Sequence, residues 1–168
     1  MEPIRPKTVY LMRRSENRDL DRERILRTAF FLDYGISIEA PVFSYGAYGK
    51  PYLAGLPYYN LSHSGDYIVC VTDGQEIGID IQTIKTIHSG VMERFLGSNE
   101  LEPKQQTLLW TQYESYSKML GTGIPLEGYG FRNGNYLSAF LSDGYVVTVC
   151  TKQISGKELR ICPVENNH

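Results

Sequence analysis

The run Ile77-Gly78-Ile79-Asp80-Ile81-Gln82 alternates strictly between isoleucine and small or polar residues, the period-two signature of a strand with one buried face. Asp80 and Gln82 therefore share the face opposite the isoleucines. Further along, Leu108 to Leu120 contains neither Gly nor Pro and stops at Gly121-Thr122-Gly123, which predicts a helix with a glycine stop. On that helix Trp110, Glu114 and Lys118 recur at every fourth position and line one side. Leu109, Tyr113, Tyr116 and Leu120 follow the i, i+4, i+7, i+11 spacing expected of a core-facing stripe. If this strand and this helix pack together, two acids, an amide and an ammonium meet. That set suits a divalent metal on a polyphosphate, because a hard cation takes oxygen ligands from one or two carboxylates plus substrate phosphates. Spacing alone more often means something blander: an i, i+4 Glu–Lys pair on a solvated helix face and an Asp at the surface of a strand.

The chain has 168 residues, enough for one ordinary domain or two small units sharing a core. Its hydrophobic content of 42% and charged content of 21% are those of a globular protein rather than a disordered one. A net charge of -2 argues against a general nucleic-acid binder. The charge is unevenly distributed, however. Between Met1 and Arg27 the basic residues Arg5, Lys7, Arg13, Arg14, Arg18, Arg22, Arg24 and Arg27 outnumber the acids, so this end could meet a small anion. Cys70, Cys150 and Cys162 show no CxxC or metal spacing and support neither a disulfide framework nor a zinc site. Buried thiols in a reducing compartment are expected. With no apolar signal segment and no long apolar window, the expectation is a cytoplasmic protein without a membrane span.

Taken in order, Thr8 to Met12 predicts a first strand and Asp19 to Tyr34 a helix that stops at Gly35. Pro41 to Leu56 is rich in breakers and places Lys50 between Gly49 and Pro51. Tyr58 to Leu61 running into Ser62-His63-Ser64-Gly65, then Tyr67 to Val71, then Glu76 to Gln82 read as successive strands. A short helical piece is expected around Val91 to Phe95. After Gly123 strands return at Tyr136 to Leu141, Tyr145 to Cys150 and Leu159 to Cys162. The runs Tyr67-Ile68-Val69-Cys70-Val71 and Tyr145-Val146-Val147-Thr148-Val149 echo each other, each in a half that reads as a helix followed by a strand meander. An internal duplication is one reading of that echo.

Gly49-Lys50-Pro51, Tyr59-Asn60-Leu61-Ser62-His63-Ser64-Gly65, Ile77-Gly78-Ile79-Asp80-Ile81, Arg94-Phe95 with Glu100, and Trp110-Thr111 with Glu114-Ser115 and Lys118 form one ordered set. In that order and spacing they resemble the 4'-phosphopantetheinyl transferases of the surfactin-synthetase-activating (Sfp) type. The resemblance implies an α+β fold: a pseudo-twofold arrangement of two similar lobes, each a helix on a small, mainly antiparallel sheet. The lobes would divide near residue 84, within a single domain spanning 1–168. It also implies transfer of the phosphopantetheine arm of coenzyme A to a serine of an acyl, polyketide or peptidyl carrier protein, with a magnesium ion (Mg2+) on the pyrophosphate and release of 3',5'-ADP. Such chemistry builds charge on phosphate oxygens and needs a metal and cations nearby.

By motif position the resemblance makes Asp80 a metal ligand and Glu114 a second ligand that helps deprotonate the serine. Lys118 becomes the phosphate-side lysine, so Asp80, Glu114 and Lys118 form the catalytic set. Lys50, Ser62 and His63 match positions that hold the phosphates of coenzyme A, and Arg18 joins them by ungapped counting back from Lys50. Gln82 stands where many members carry a third acidic ligand; its amide oxygen can still coordinate magnesium, without contributing charge. Tyr113 replaces the usual lysine before the glutamate and falls on the apolar stripe. The chain is shorter than typical members, chiefly before Arg18. These departures define a rival reading, a degenerate member that binds coenzyme A or a carrier without transfer. The carrier surface is expected in the region after Gln82, and a monomer is expected.

Overall fold

The computed structural model describes residues 6–96, 100–123, 130–153, 156 and 158–166. In chain order these form β1 (Lys7–Arg13), α1 (Arg18–Tyr34), β2 (Ser44–Tyr45), β3 (Pro51–Tyr52), β4 (Tyr58–Ser64), β5 (Tyr67–Asp73) and β6 (Ile77–Thr83). There follow a short helical turn α2 (Ser89–Val91) that widens into a π turn (Met92–Leu96), α3 (Pro103–Leu120), a 3-10 turn (Gly130–Asn133), β7 (Asn135–Phe140), β8 (Tyr145–Thr151) and β9 (Leu159–Val164). A four-stranded sheet runs β4-β5-β1-β9, a three-stranded sheet runs β6-β8-β7, and β2 and β3 make a small hairpin. All pairings are antiparallel except β1 with β9. Among the described residues no helix is long and apolar enough to cross a membrane.

The period-two alternation of the strands sorts side chains into layers. Tyr10, Met12, Ile68 and Cys70 leave one face of the four-stranded sheet and pack on Ile25, Leu26, Ala29 and Phe30 of α1. Val9, Val69 and Val71 leave the other face and meet Ile77, Ile79, Ile81, Val147 and Val149 of the three-stranded sheet. Fully buried, each such aliphatic side chain contributes about 1.5–3 kcal/mol, so this sheet-on-sheet layer is the principal core. The order of layers is helix, sheet, sheet, helix. Within it β5 and β8, the strands whose sequences echo each other, both lie between two neighbours in their sheets.

The helix α1 begins where Asn17 accepts from Leu20 N at 3.1 Å, a side-chain N-cap, and ends at Gly35 with φ 66°, the left-handed stop that glycine adopts without strain. The helix α3 starts earlier than the Gly/Pro-free run suggests: Pro103 occupies its first turn, where a missing N–H goes unnoticed. Its packing also differs from the expected stripe. Tyr113 is buried, but Leu120 is 40% exposed, and the residues that meet the sheet are Thr107, Thr111, Ser115 and Met119. Small side chains let the helix axis approach closely, and their hydroxyls are satisfied: Thr111 Oγ1 lies 2.8 Å from Thr148 Oγ1 and Thr107 Oγ1 donates to Lys85 O at 2.8 Å. Opposite them Gly78 is obligatory, since a Cβ there would lie 1.9 Å from Ser115 O and 2.5 Å from Met119 N. Tyr113 instead packs with Ile87, Met92 and Phe131 in a separate cluster that Leu109, Trp110 and Tyr116 flank.

The two larger sheets meet at a seam without a backbone ladder. Strand β4 is the edge of its sheet, and β6 pairs through its other side with β8. Along the seam Asn60 Oδ1 accepts from Ile79 N at 2.8 Å, Ser62 Oγ from Ile81 N at 3.3 Å and Ser64 Oγ from Thr83 N at 3.2 Å. Alternate side chains of one strand thus satisfy alternate N–H groups of the other, which would otherwise be buried without partners.

Candidate active site

Asp80 faces α3 from the middle of β6 and is 2% exposed. Its Oδ1 accepts from Lys118 Nζ at 2.7 Å and from the Ser62 hydroxyl at 2.8 Å; its Oδ2 accepts from Gln82 Nε2 at 3.1 Å. Lys118 Nζ also donates to Ser62 Oγ at 3.0 Å. Such a set of donors satisfies the oxygens of a carboxylate taken out of water. The strand, seam and helix each supply one part: β6 gives Asp80 and Gln82, β4 gives Ser62, and α3 gives Lys118 and, one turn earlier, Glu114.

Glu114 and Lys118 line a cleft of about 300 Å³ together with Ser117 and Gly121 of the α3 end, Tyr59, Asn60 and Leu61 of β4, and the Tyr48–Pro51 turn. Burial raises the carboxyl pKa of Glu114 above its ordinary value, the charge of Asp80 raises it further, and Lys118 works against both. Two carboxylates that feel each other's charge make a hard-oxygen donor set that a divalent cation would relieve. On that ground Asp80 and Glu114 fit magnesium. Gln82 turns its NH2 toward Asp80, leaving its carbonyl oxygen as the arm that could reach a cation. Among the described residues no cluster of three His, Cys, Asp or Glu side chains exists.

Lys50 lines the same cleft with its stem, while its ammonium donates to Ile77 O at 3.2 Å and Met119 O at 3.1 Å. It thereby ties the turn to β6 and to the carbonyl end of α3, and burial lowers its pKa. A second hollow of about 200 Å³ is lined by Leu61 and Ser62 of β4 with Arg14, Arg18, Arg22 and His63, and by the acids Asp19 and Asp21. Burial, then Arg14, Lys118 and Arg18, push the His63 imidazole below its ordinary pKa. An anion entering this hollow would reverse that bias.

The structure therefore gathers Asp80, Gln82, Glu114, Lys118 and Ser62 at one place, puts Lys50 along the same cleft, and groups His63 with Arg18 next door. Trp110 does not join them; it stacks on Tyr113 with ring centroids 5.5 Å apart. Asn60 and Ser117 line the cleft without having been singled out from sequence. The signal for Asn60 was available, since it shares the Ser62 face of a period-two strand.

No protein-family model matches the chain. Among curated proteins, a 4'-phosphopantetheinyl transferase of Bacillus subtilis is 35% identical over 145 residues, covering 77% of this chain and 65% of that protein. The 4'-phosphopantetheinyl transferase Sfp of Bacillus subtilis strain 168 is 32% identical, covering 69% of this chain and 58% of its own length. Psf-1 of Bacillus pumilus is 33% identical, covering 64% and 51%. The chain thus spans between half and two thirds of the length of these relatives. With relatives of one kind matching most of the sequence, the chain belongs to the Sfp-type 4'-phosphopantetheinyl transferases.

Proposed function

We propose that the chain transfers the 4'-phosphopantetheine arm of coenzyme A to a serine hydroxyl of an acyl, polyketide or peptidyl carrier protein, in a magnesium-dependent reaction that releases 3',5'-ADP. The observation that carries this reading is the bonded set of Asp80, Ser62 and Lys118, whose lysine lines a cleft together with Glu114. Magnesium, held by Asp80 and Glu114 with the Gln82 amide oxygen, would spread the charge that grows on the pyrophosphate. Glu114, raised in pKa, is poised to take the proton of the attacking serine. Lys118 presents a point charge to the phosphate oxygens. Arg18, His63 and Ser62, with Arg14 beside them, hold the remaining phosphate of coenzyme A in the hollow that Asp19 and Asp21 also line. Lys50 adds a phosphate contact along the cleft, its ammonium exchanging the carbonyls of Ile77 and Met119 for the ligand. The serine oxygen forms a bond to the phosphorus bearing the pantetheine arm as the bond to the ADP-side oxygen breaks.

The same reading takes the two helix-on-sheet units as pseudo-twofold lobes with the cleft at their seam; a division of the chain near residue 84 does not match them, because β6 pairs in the second unit and β9 in the first. It takes the protein as a monomer. Its three cysteines are free, two of them buried, which supports a reducing, cytoplasmic setting. Intact-mass analysis of a panel of apo carrier proteins, incubated with the protein, coenzyme A and magnesium, tests the reaction. A gain equal to one phosphopantetheine arm, lost with EDTA, is expected. Coenzyme A binding with no gain on any carrier would instead identify a binding protein without transferase activity.

A further inference from the structure

The seam between β4 and β6 is made by one oxygen from each of Asn60, Ser62 and Ser64. For the two serines the hydroxyl is the whole functional group. Asn60 meets the same demand with its carbonyl oxygen and carries, in addition, an NH2 that the seam does not use. The bond from Ile79 N at 2.8 Å fixes which end is which, because an N–H can donate only to the oxygen. Asn60 is 8% exposed, and the little surface it keeps lines the cleft beside Glu114 and Lys118. Among the described residues nothing accepts from its Nδ2. An amide donor on an otherwise buried residue at the wall of a ligand cleft, without a protein acceptor, is one that a ligand oxygen can take over from water.

We propose that Asn60 is a ligand-positioning residue: its Oδ1 anchors β6 at Ile79, and its Nδ2 donates a hydrogen bond to an acceptor oxygen of coenzyme A in the cleft. This rests on the reading of the cleft given under Proposed function. The residue after Ile79 is Asp80, so the same carboxamide that grips the ligand also fixes the strand presenting the catalytic carboxylate. Ligand oxygen, Asn60 and the Asp80 backbone then form one rigid link. A serine at position 60 would reach the Ile79 N–H by the geometry that Ser62 and Ser64 already use, yet would offer the ligand no NH2 and would add no charge.

The test is a titration of the full-length, 15N-labelled protein with coenzyme A, following side-chain NH2 signals, with the Asn60 pair assigned by its disappearance in Asn60→Ser. In the saturated complex the Asn60 pair should move downfield and exchange with water at least about tenfold more slowly, as a newly made hydrogen bond requires. Asn60→Ser should keep hydrogen-exchange protection at the Ile79 amide but bind coenzyme A about tenfold more weakly. Unmoved Asn60 signals at saturation, or an Asn60→Ser protein that binds as tightly as the parent, would overturn the proposal alone. A parent protein that fails to bind coenzyme A would overturn the reading of the cleft, and this proposal with it.

Discussion

At Asp80 two donors, Lys118 Nζ and the Ser62 hydroxyl, share one carboxylate oxygen, and Gln82 Nε2 holds the other. Lys118 is 29% exposed, whereas its partner is 2% exposed, so the burden of desolvation falls on the acid. Lys118→Met should therefore leave a buried charge underpaired and destabilise the protein by about 2 kcal/mol, read as a lower denaturant midpoint at unchanged m. Magnesium should raise the unfolding midpoint more in this variant than in the parent, because a cation would replace the lost ammonium. An equal metal response in the two proteins would remove Asp80 from the metal site. Glu114 makes the opposite case. Its folded pKa lies above its unfolded value, so the folded state holds the proton longer and stability falls as pH rises from the ordinary carboxylate range through the raised pKa. Glu114→Gln should thus be more stable than the parent at pH 7, lose that advantage in acid, and transfer no phosphopantetheine. Melting curves at the two pH values and the mass assay check both halves; a variant less stable at pH 7 would contradict the burial assigned to Glu114. These residue roles were legible as types and spacings, since a period-two strand placed Asp80 with Gln82 and a helical repeat placed Glu114 with Lys118. Invisible in the sequence was the choice of partners: that Lys118 would sit on Asp80, or that the Lys50 ammonium would bind the carbonyls of Ile77 and Met119.

Among the elements, the pairing of α3 with β6 decides how close the two halves of the site can come. The closeness depends on Gly78, whose missing Cβ admits the Ser115 carbonyl. Gly78→Ala should push the helix off the strand, cost about 3 kcal/mol or more by overpacking, and weaken transfer beyond what the lost stability explains, because Glu114 and Lys118 shift with the helix. Denaturation midpoints and turnover at a temperature where the variant is fully folded separate the two effects. Normal stability would show that the helix can rise without cost. The element boundaries here were mostly readable: β6 follows from alternation, β1, β4, β5 and β8 from short strand-like runs between turn signals, and Gly35 and Gly121 end their helices as glycine stops should. The face of α3 was not readable. A hydrophobic stripe through Leu109, Tyr113 and Tyr116 pointed to a core, and there is one, but it is the satellite cluster around Met92 and Phe131. The sheet-facing side is written in Thr107, Thr111 and Ser115, residues that hydropathy counts as surface and that close packing selects for size.

For the molecule as a whole, sheet membership does not follow the order of the chain. β6 leaves the strands before it to pair with β8, and β9 returns from the end of the chain to lie parallel beside β1. A meander in each half, as sequence alone suggests, misses both crossings, because period-two alternation fixes which face is buried but not which strand lies alongside. The consequence is cooperative. A fragment of residues 1–84 would carry β6 without β8 and α3, exposing Ile77, Ile79 and Ile81, and would lack β9 beside β1. A fragment of residues 85–168 would lose β6, on which α3 rests. The first fragment keeps the layer under α1, but neither fragment can close the sheet-on-sheet core, whose residues are divided between them. Expressed separately, each fragment should show no cooperative thermal transition by circular dichroism. Mixed, they should regain one, with binding of coenzyme A restored because the cleft draws β4 from one piece and α3 from the other. A cooperative melt from residues 1–84 in isolation would show that the α1 side stands without the rest. The two helix-on-sheet units would then be separable domains, and the cleft between them an interface that ligand closes rather than one that folding builds.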